Sequence, residues 1–216
     1  MFQESTQIIK QHGKNCFVDI RAAYLIGEGK VEFNFRTLDP KTNKVQGKID
    51  CYLSIEEFHF LAHLLKTGSI FSYLQSQPAH RYVSYGGRRD GNEIIARQLR
   101  IEGDAGGLFL KGMQGPGKTT ATGGYTLACK DNEAFTITVR LDAWQAQMMG
   151  LAFQRAVDYY DEWNRSGTLQ ARMEALRHPV QKPQMASVRN QPVQSFPQPA
   201  QSFSQPVQSF PQEAYF

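Results

Sequence analysis

The chain has 216 residues, 41% of them hydrophobic, and a formal charge of +4, enough apolar material for one ordinary core or a duplicated one and too little charge to name a partner by itself. No apolar run reaches the length of a membrane span, the opening MFQESTQIIKQHGKN lacks a basic-then-apolar signal pattern, and Cys16, Cys51 and Cys129 have no paired spacing. These features argue against a membrane-spanning helix and against a disulfide or zinc framework, and predict a soluble, cytoplasmic protein with free, buried thiols.

In chain order, 16–26 and 30–38 read as strands separated by Gly27-Glu28-Gly29, a hairpin signal. The second alternates, with Val31, Phe33 and Phe35 on one face and Glu32, Asn34 and Arg36 on the other. Asp39-Pro40-Lys41-Thr42-Asn43 turns the chain into a third strand, 45–53. Ser54 with Glu57 three residues on makes a capping box, and Phe58, Leu61, Ala62, Leu64 and Leu65 supply a helical apolar face up to Gly68. Residues 69–92 read either as a linker between halves or as a loop that folds over a ligand.

The second half repeats the outline. Segments 94–102, 108–112, 122–130 and 134–141 read as strands with glycine-bearing turns between them. Asp142 then caps a long helix reaching about Trp163, with Trp144 and Trp163 expected to pack helix against sheet. Laying IDCYLSIEEFHFLAHLL (from Ile49) on ITVRLDAWQAQMMGLAF (from Ile137) aligns strand, cap and helix in step. This is an internal repeat of architecture, or two unrelated strand-helix units that share a pattern.

Between Arg81 and Lys118 lie Arg81, Arg88, Arg89, Arg97, Arg100, Lys111 and Lys118, against Asp90, Glu93, Glu102 and Asp104, in a glycine-rich stretch that also holds Tyr82 and Tyr85. Cations, flexible turns and aromatics together suit a nucleic-acid backbone and its bases; the plain alternative is a charged patch on an ordinary surface. Within this interval, 112–119 (GMQGPGKT) matches the phosphate-loop pattern GxxxxGK[ST]. That chemistry needs a helix starting at the lysine, whose N-terminus holds the anion. The TTATGGYTLACK that contains and follows Thr119 is β-branched and glycine-bearing, a poor helix former. The favoured reading is a glycine-rich hairpin loop whose Lys111 and Lys118 meet phosphates. The alternative is a nucleotide-binding protein using Gly117, Lys118 and Thr119. No other catalytic constellation, metal-ligand set or cofactor motif is visible, so the chain reads as a non-enzyme without cofactor.

From Gln191 the sequence runs QPVQSFP, QPAQSFS, QPVQSFP, then QEAYF. Gln, Pro and Ser cannot build a core, and each repeat has one large apolar group (Phe196, Phe203, Phe210). This reads as a disordered arm offered to a protein partner through Phe210, Tyr215 and Phe216; the plain alternative is a solubilising tail.

The repeated four-strand-plus-helix outline over roughly 15–165, with a tryptophan early in the long helix, resembles the Whirly family and the related positive cofactor four. The resemblance implies single-stranded-DNA binding along curved antiparallel sheets and a homodimer or homotetramer assembled on packed helices. The lysine-glycine-asparagine-lysine-arginine signature of plant Whirly proteins is absent; Lys111-Gly112, followed by Gly115, Gly117 and Lys118, is the nearest feature. The tail resembles that of bacterial single-stranded-DNA-binding proteins, although their acidic tip is reduced here to Glu213 and the terminal carboxylate.

The expected fold is α+β, a duplicated β-β-β-β-α unit with curved antiparallel sheets and packed helices over 1–177, and a disordered tail over 178–216. The expected function is single-stranded-DNA binding of low sequence specificity in replication, recombination or conjugative transfer, with the tail recruiting partner proteins. A third reading is a protein-binding scaffold with an inert folded part. It predicts that the basic residues of 81–118 fall on separate surfaces instead of lining one groove.

Overall fold

Alternation of the kind seen at Val31, Phe33 and Phe35 recurs on neighbouring strands, and a computed structural model, which describes residues 6–26, 29–104 and 106–177, shows how they are joined. The first sheet has the order β1 (Gln7–Gly13), β2 (Cys16–Arg21), β3 (Lys30–Leu38), β4 (Val45–Ser54), all antiparallel. Helices α1 (Ile55–Lys66) and α2 (Ile70–Ser76) follow. The second sheet is built from β5 (Arg81–Asp90), β6 (Glu93–Asp104), β7 (Gly107–Thr119) and β9 (Phe135–Leu141), with the short β8 (Tyr125–Leu127) paired to the far end of β7. Helices α3 (Ala143–Ser166) and α4 (Thr168–Arg177) complete it. The architecture is α+β, with two curled antiparallel sheets each leading into a helix. By contacts the chain divides into Met1–Val180 and Gln181–Phe216; only the first holds described residues.

Period-2 alternation decides which side of each sheet is buried. In the first sheet Val18, Ile20, Val31, Phe33, Phe35, Ile49, Cys51 and Leu53 face the core; in the second Leu99, Ile101, Leu108, Leu110, Ile137, Val139 and Leu141 do. Both strand-to-helix junctions carry a complete capping box, Ser54 with Glu57 and Asp142 with Gln145, so each helix start is satisfied within four residues. Gly150 lets α3 cross α1 closely, since a Cβ there would lie 2.5 Å from the Lys66 backbone nitrogen. Phe153 meets Phe58 and Phe33 (centroids 4.6 and 6.0 Å away). Phe35 seats on Gly112, where a Cβ would stand 2.5 Å from its ring. The edge strand β4 lies against β5, β6 and β7, and β1 and β2 lie against β9.

Several expectations change. The strand expected over 16–26 stops at Arg21, and Ala23–Ile26 is a 3-10 turn. Residues 69–92 are neither linker nor loop: they hold α2 and all of β5, and the segment 7–13 is a strand that its weak alternation did not announce. The strand expected over 108–112 continues to Thr119, whereas that expected over 122–130 shrinks to three residues. Trp144 does not pack helix against sheet; it is 67% exposed. Cys16 and Cys51 are buried, the latter's thiol pushed up to about 12 chiefly by that burial, but Cys129 is only half-buried and lies outside any strand.

Candidate nucleic-acid interface

Alternation gives the first sheet a second face whose side chains form cross-strand rows, with His12 and Lys48 exposed, Phe17 and Arg36 half-buried, and Asp19, Asn34 and Asp50 buried. The register His12↔Phe17, Phe17↔Arg36, Arg36↔Lys48 places two aromatic rings and two cations side by side across all four strands. The His12 and Phe17 rings are 5.8 Å apart, and Lys10 Nζ stands 3.9 Å over the Phe17 ring. The next row, Lys10, Asp19, Asn34 and Asp50, is polar throughout.

The turns at one end of this sheet add charge. Lys14 lies in the β1–β2 hairpin; Lys41 and Lys44 lie in the β3–β4 hairpin. Leu38 N–H donates to the Asn15 carbonyl (2.8 Å), which ties the two turns together. Lys14, Lys41 and Lys44 therefore share one end of the sheet, next to Lys10 and Lys48 on its outer face. The nearby acids are occupied. Asp39 accepts from the Thr42 and Lys41 backbone N–H groups, which hold its carboxyl below the usual range. Burial pulls Asp50 up, but hydrogen bonds from Lys48 and Arg36 (2.9 and 3.0 Å) outweigh it and hold that carboxyl below its ordinary value.

Asp50 also links this patch to the second sheet, because its carbonyl accepts from Arg97 Nη1 (3.4 Å) while Arg97 Nε donates to Gln114 Oε1 (3.0 Å). Toward the β5–β6 tip the same side of the second sheet carries Gly86, Arg88, Ile95, Pro116 and Lys118, by the pairing Gly86↔Arg97, Arg88↔Ile95 and Ile95↔Pro116. Arg88 and Lys118 are exposed, Arg88 with Asp90 at 3.2 Å. Lys48, Arg36, Arg97, Arg88 and Lys118 thus form a discontinuous cationic track from one sheet to the other.

The remaining residues of the basic interval do not join this track. Arg81, Tyr85, Arg89, Arg100 and Lys111 have the opposite strand parity and lie on the far side of the second sheet. Arg100 is buried there, its guanidinium held by Asp131 (Nη2 to Oδ1 2.7 Å) and by Gln98, and the Asp131 hydrogen bonds raise its pKa. Arg81 Nη1 lies 3.4 Å from the same carboxylate, and Lys111 pairs with Glu102. Tyr82 faces inward and donates to Glu57 Oε1 (3.0 Å); burial and then Glu57 raise its pKa. Tyr85 is 60% exposed. The single groove expected over 81–118 is therefore replaced by two opposite faces, because successive residues of a strand point to opposite sides. The tail residues Phe210, Tyr215 and Phe216 lie outside the described residues.

The phosphate-loop and hairpin-loop readings of 112–119 both give way. These residues are strand, laddered to β6 as far as Pro116, to β9 as far as Gln114 and to β8 from Gly117, so the segment is extended and does not form the loop that wraps a phosphate. After Thr119 the chain makes a turn, closed by Thr120 N–H to the Gly124 carbonyl (2.8 Å), and no helix begins at Lys118. Lys118 keeps its place on the cationic track; Lys111 does not.

No family model and no curated protein matches the chain. A similar solved structure is the crystal structure of WHY3 from Arabidopsis thaliana, with a TM-score of 0.47 and 9% identity over 83% of this chain and 98% of that one. The likeness is a distant one, at the level of the α+β architecture.

Proposed function

We propose that the chain binds single-stranded nucleic acid, DNA in preference, with low sequence specificity. The observation that carries this is the row His12, Phe17, Arg36, Lys48 with the lysines gathered around it. Neighbouring strands are about 4.8 Å apart, so rings on adjacent strands offer bases a stacking platform while the surrounding ammonium groups neutralise phosphates. Non-specific contacts of this kind serve replication, recombination or conjugative transfer, and the repeated Phe tail serves to recruit a protein partner in a soluble, cytoplasmic setting. The division of the basic interval between two faces favours the scaffold reading, but that reading gives no account of lysines gathered at one sheet end that outnumber the nearby acids Asp39 and Asp50, the second already ion-paired.

Fluorescence anisotropy with labelled oligo-dT, set against an equal-length duplex across a salt series, tests this. Preference for the single strand with log affinity falling steeply against log salt is the expected result, and removal of 178–216 is expected to leave that affinity unchanged. No binding at low salt would leave the scaffold reading standing.

A homodimer or homotetramer follows from the same proposal. Trp144, Met148, Leu151 and Tyr159 lie along one exposed side of α3, between 40% and 67% accessible, an apolar stripe of the kind that covers itself by association. Trp144→Glu is expected to shift the chain toward monomer in sedimentation velocity; an unchanged sedimentation coefficient would place the contact elsewhere.

A further inference from the structure

After β7 the chain does not leave the second sheet but doubles back across its far side. Leu127 rests on Ala96 and Met113 in a small apolar cluster separate from the main core. Gln98 Nε2 donates to Thr126 Oγ1 (3.3 Å), and Asp131 closes over Arg100 and Arg81. The floor beneath is glycine: a Cβ on Gly115 would stand 2.9 Å from Cys129 Sγ, and one on Gly87 3.2 Å from Tyr125 Cβ. Segment 120–134 is thus a strap laid partly on glycine backbone and partly on the Ala96–Met113 cluster, against which Tyr125, Cys129 and Ala134 are half-buried.

Its hold is slight. Leu127 is its one buried side chain, most of its other residues are exposed, and β8 pairs with β7 over three residues. Segments with so few buried contacts open well below the global unfolding free energy. Beneath it lies a site that needs an anion, because Arg100 is buried and its charge is answered by a carboxylate that is itself 57% exposed. A backbone phosphate matches the guanidinium fork as well as a carboxylate does. The glycine floor, Gln98 and exposed Tyr85 next to it suit a nucleotide's sugar and base.

We infer that segment 120–134 is a displaceable strap: Asp131 holds the place of a nucleic-acid phosphate on Arg81 and Arg100, and a single strand gains this second face when the strap lifts. The inference rests on the nucleic-acid reading above. Hydrogen exchange of the full chain, with and without oligo-dT, tests it together with the affinities of Asp131→Asn and Leu127→Ala. Oligo-dT is expected to speed exchange over 125–131. Both variants are expected to bind about three- to tenfold tighter, since each raises the fraction of open strap. Leu127→Ala loosens the strap without altering charge, so tighter binding by Asp131→Asn alone reports only a removed negative charge and overturns the inference. Unchanged or slower exchange at 125–131 in a complex that does form overturns it as well. Failure of the unmodified chain to bind oligo-dT is a different result, and removes the functional reading itself.

Discussion

Phe153→Ala is expected to lower the unfolding free energy by about 3–5 kcal/mol, the range for truncating a buried phenylalanine. The ring is 1% exposed and lies where α3, α1 and β3 meet, edge-on to Phe33 at 88° and tilted against Phe58 at 44°. It therefore ties the helix of the second half to the helix and sheet of the first. Gly150, three residues earlier, brings the α1 and α3 backbones together at this level and leaves little freedom to collapse around a void. Urea denaturation of the two proteins side by side measures the loss. A change under about 1 kcal/mol would mean that the two halves are not held through this ring, and that each half carries its own core.

Neutralising Lys10, Lys44 and Lys48 together, each to Gln, is expected to cut oligo-dT affinity on the order of 10² at low salt and to flatten the salt dependence by about 2 in slope, from roughly 0.7 per phosphate contact on a single strand. Gln is chosen because Lys10 pairs across from Asp19 and Lys48 lies 2.9 Å from Asp50, so a charge reversal would set like charges together and confuse binding with stability. The three side chains are exposed, and the thermal midpoint is expected to hold within a few degrees. Anisotropy titration at two salt concentrations reads both quantities. Unchanged affinity would move the interface off the first sheet, whereas lost affinity with an unchanged slope would mean that these lysines do not meet phosphates.

The capped helices were legible in the chain because their signals are local. Ser54 with Glu57 and Asp142 with Gln145 satisfy helix starts from within four residues, and the alternation of Val31, Phe33 and Phe35 specifies a buried strand face without reference to its partners. The lysine patch was not legible. Its members are spread from residue 10 to residue 48, and they meet because two hairpin turns close at the same end of one sheet, joined by Leu38 and Asn15. The basic interval from Arg81 to Lys118 was legible as composition but not as a surface. Strand parity, set by the pairing of β5, β6 and β7, sends Arg97 and Lys118 to one side and Arg100 and Lys111 to the other.

The letters of 112–119 show the same boundary from another side. GxxxxGKT permits either a phosphate cradle or a strand, since glycine accepts both backbone conformations. Partners on both edges of β7 decide for the strand: Leu99 and Ile137 opposite Gly112, and Leu127 opposite Gly117. Asp131 is a further case, thirty-one residues beyond the Arg100 that it neutralises. Sequence by itself determined what depends on neighbours a few residues apart: the alternation of strands such as β3, the helix caps and the composition of the tail. Tertiary structure decided which charges are free and which are already paired, because an ion pair or a cross-strand row joins residues through space, and their spacing along the chain carries no trace of it.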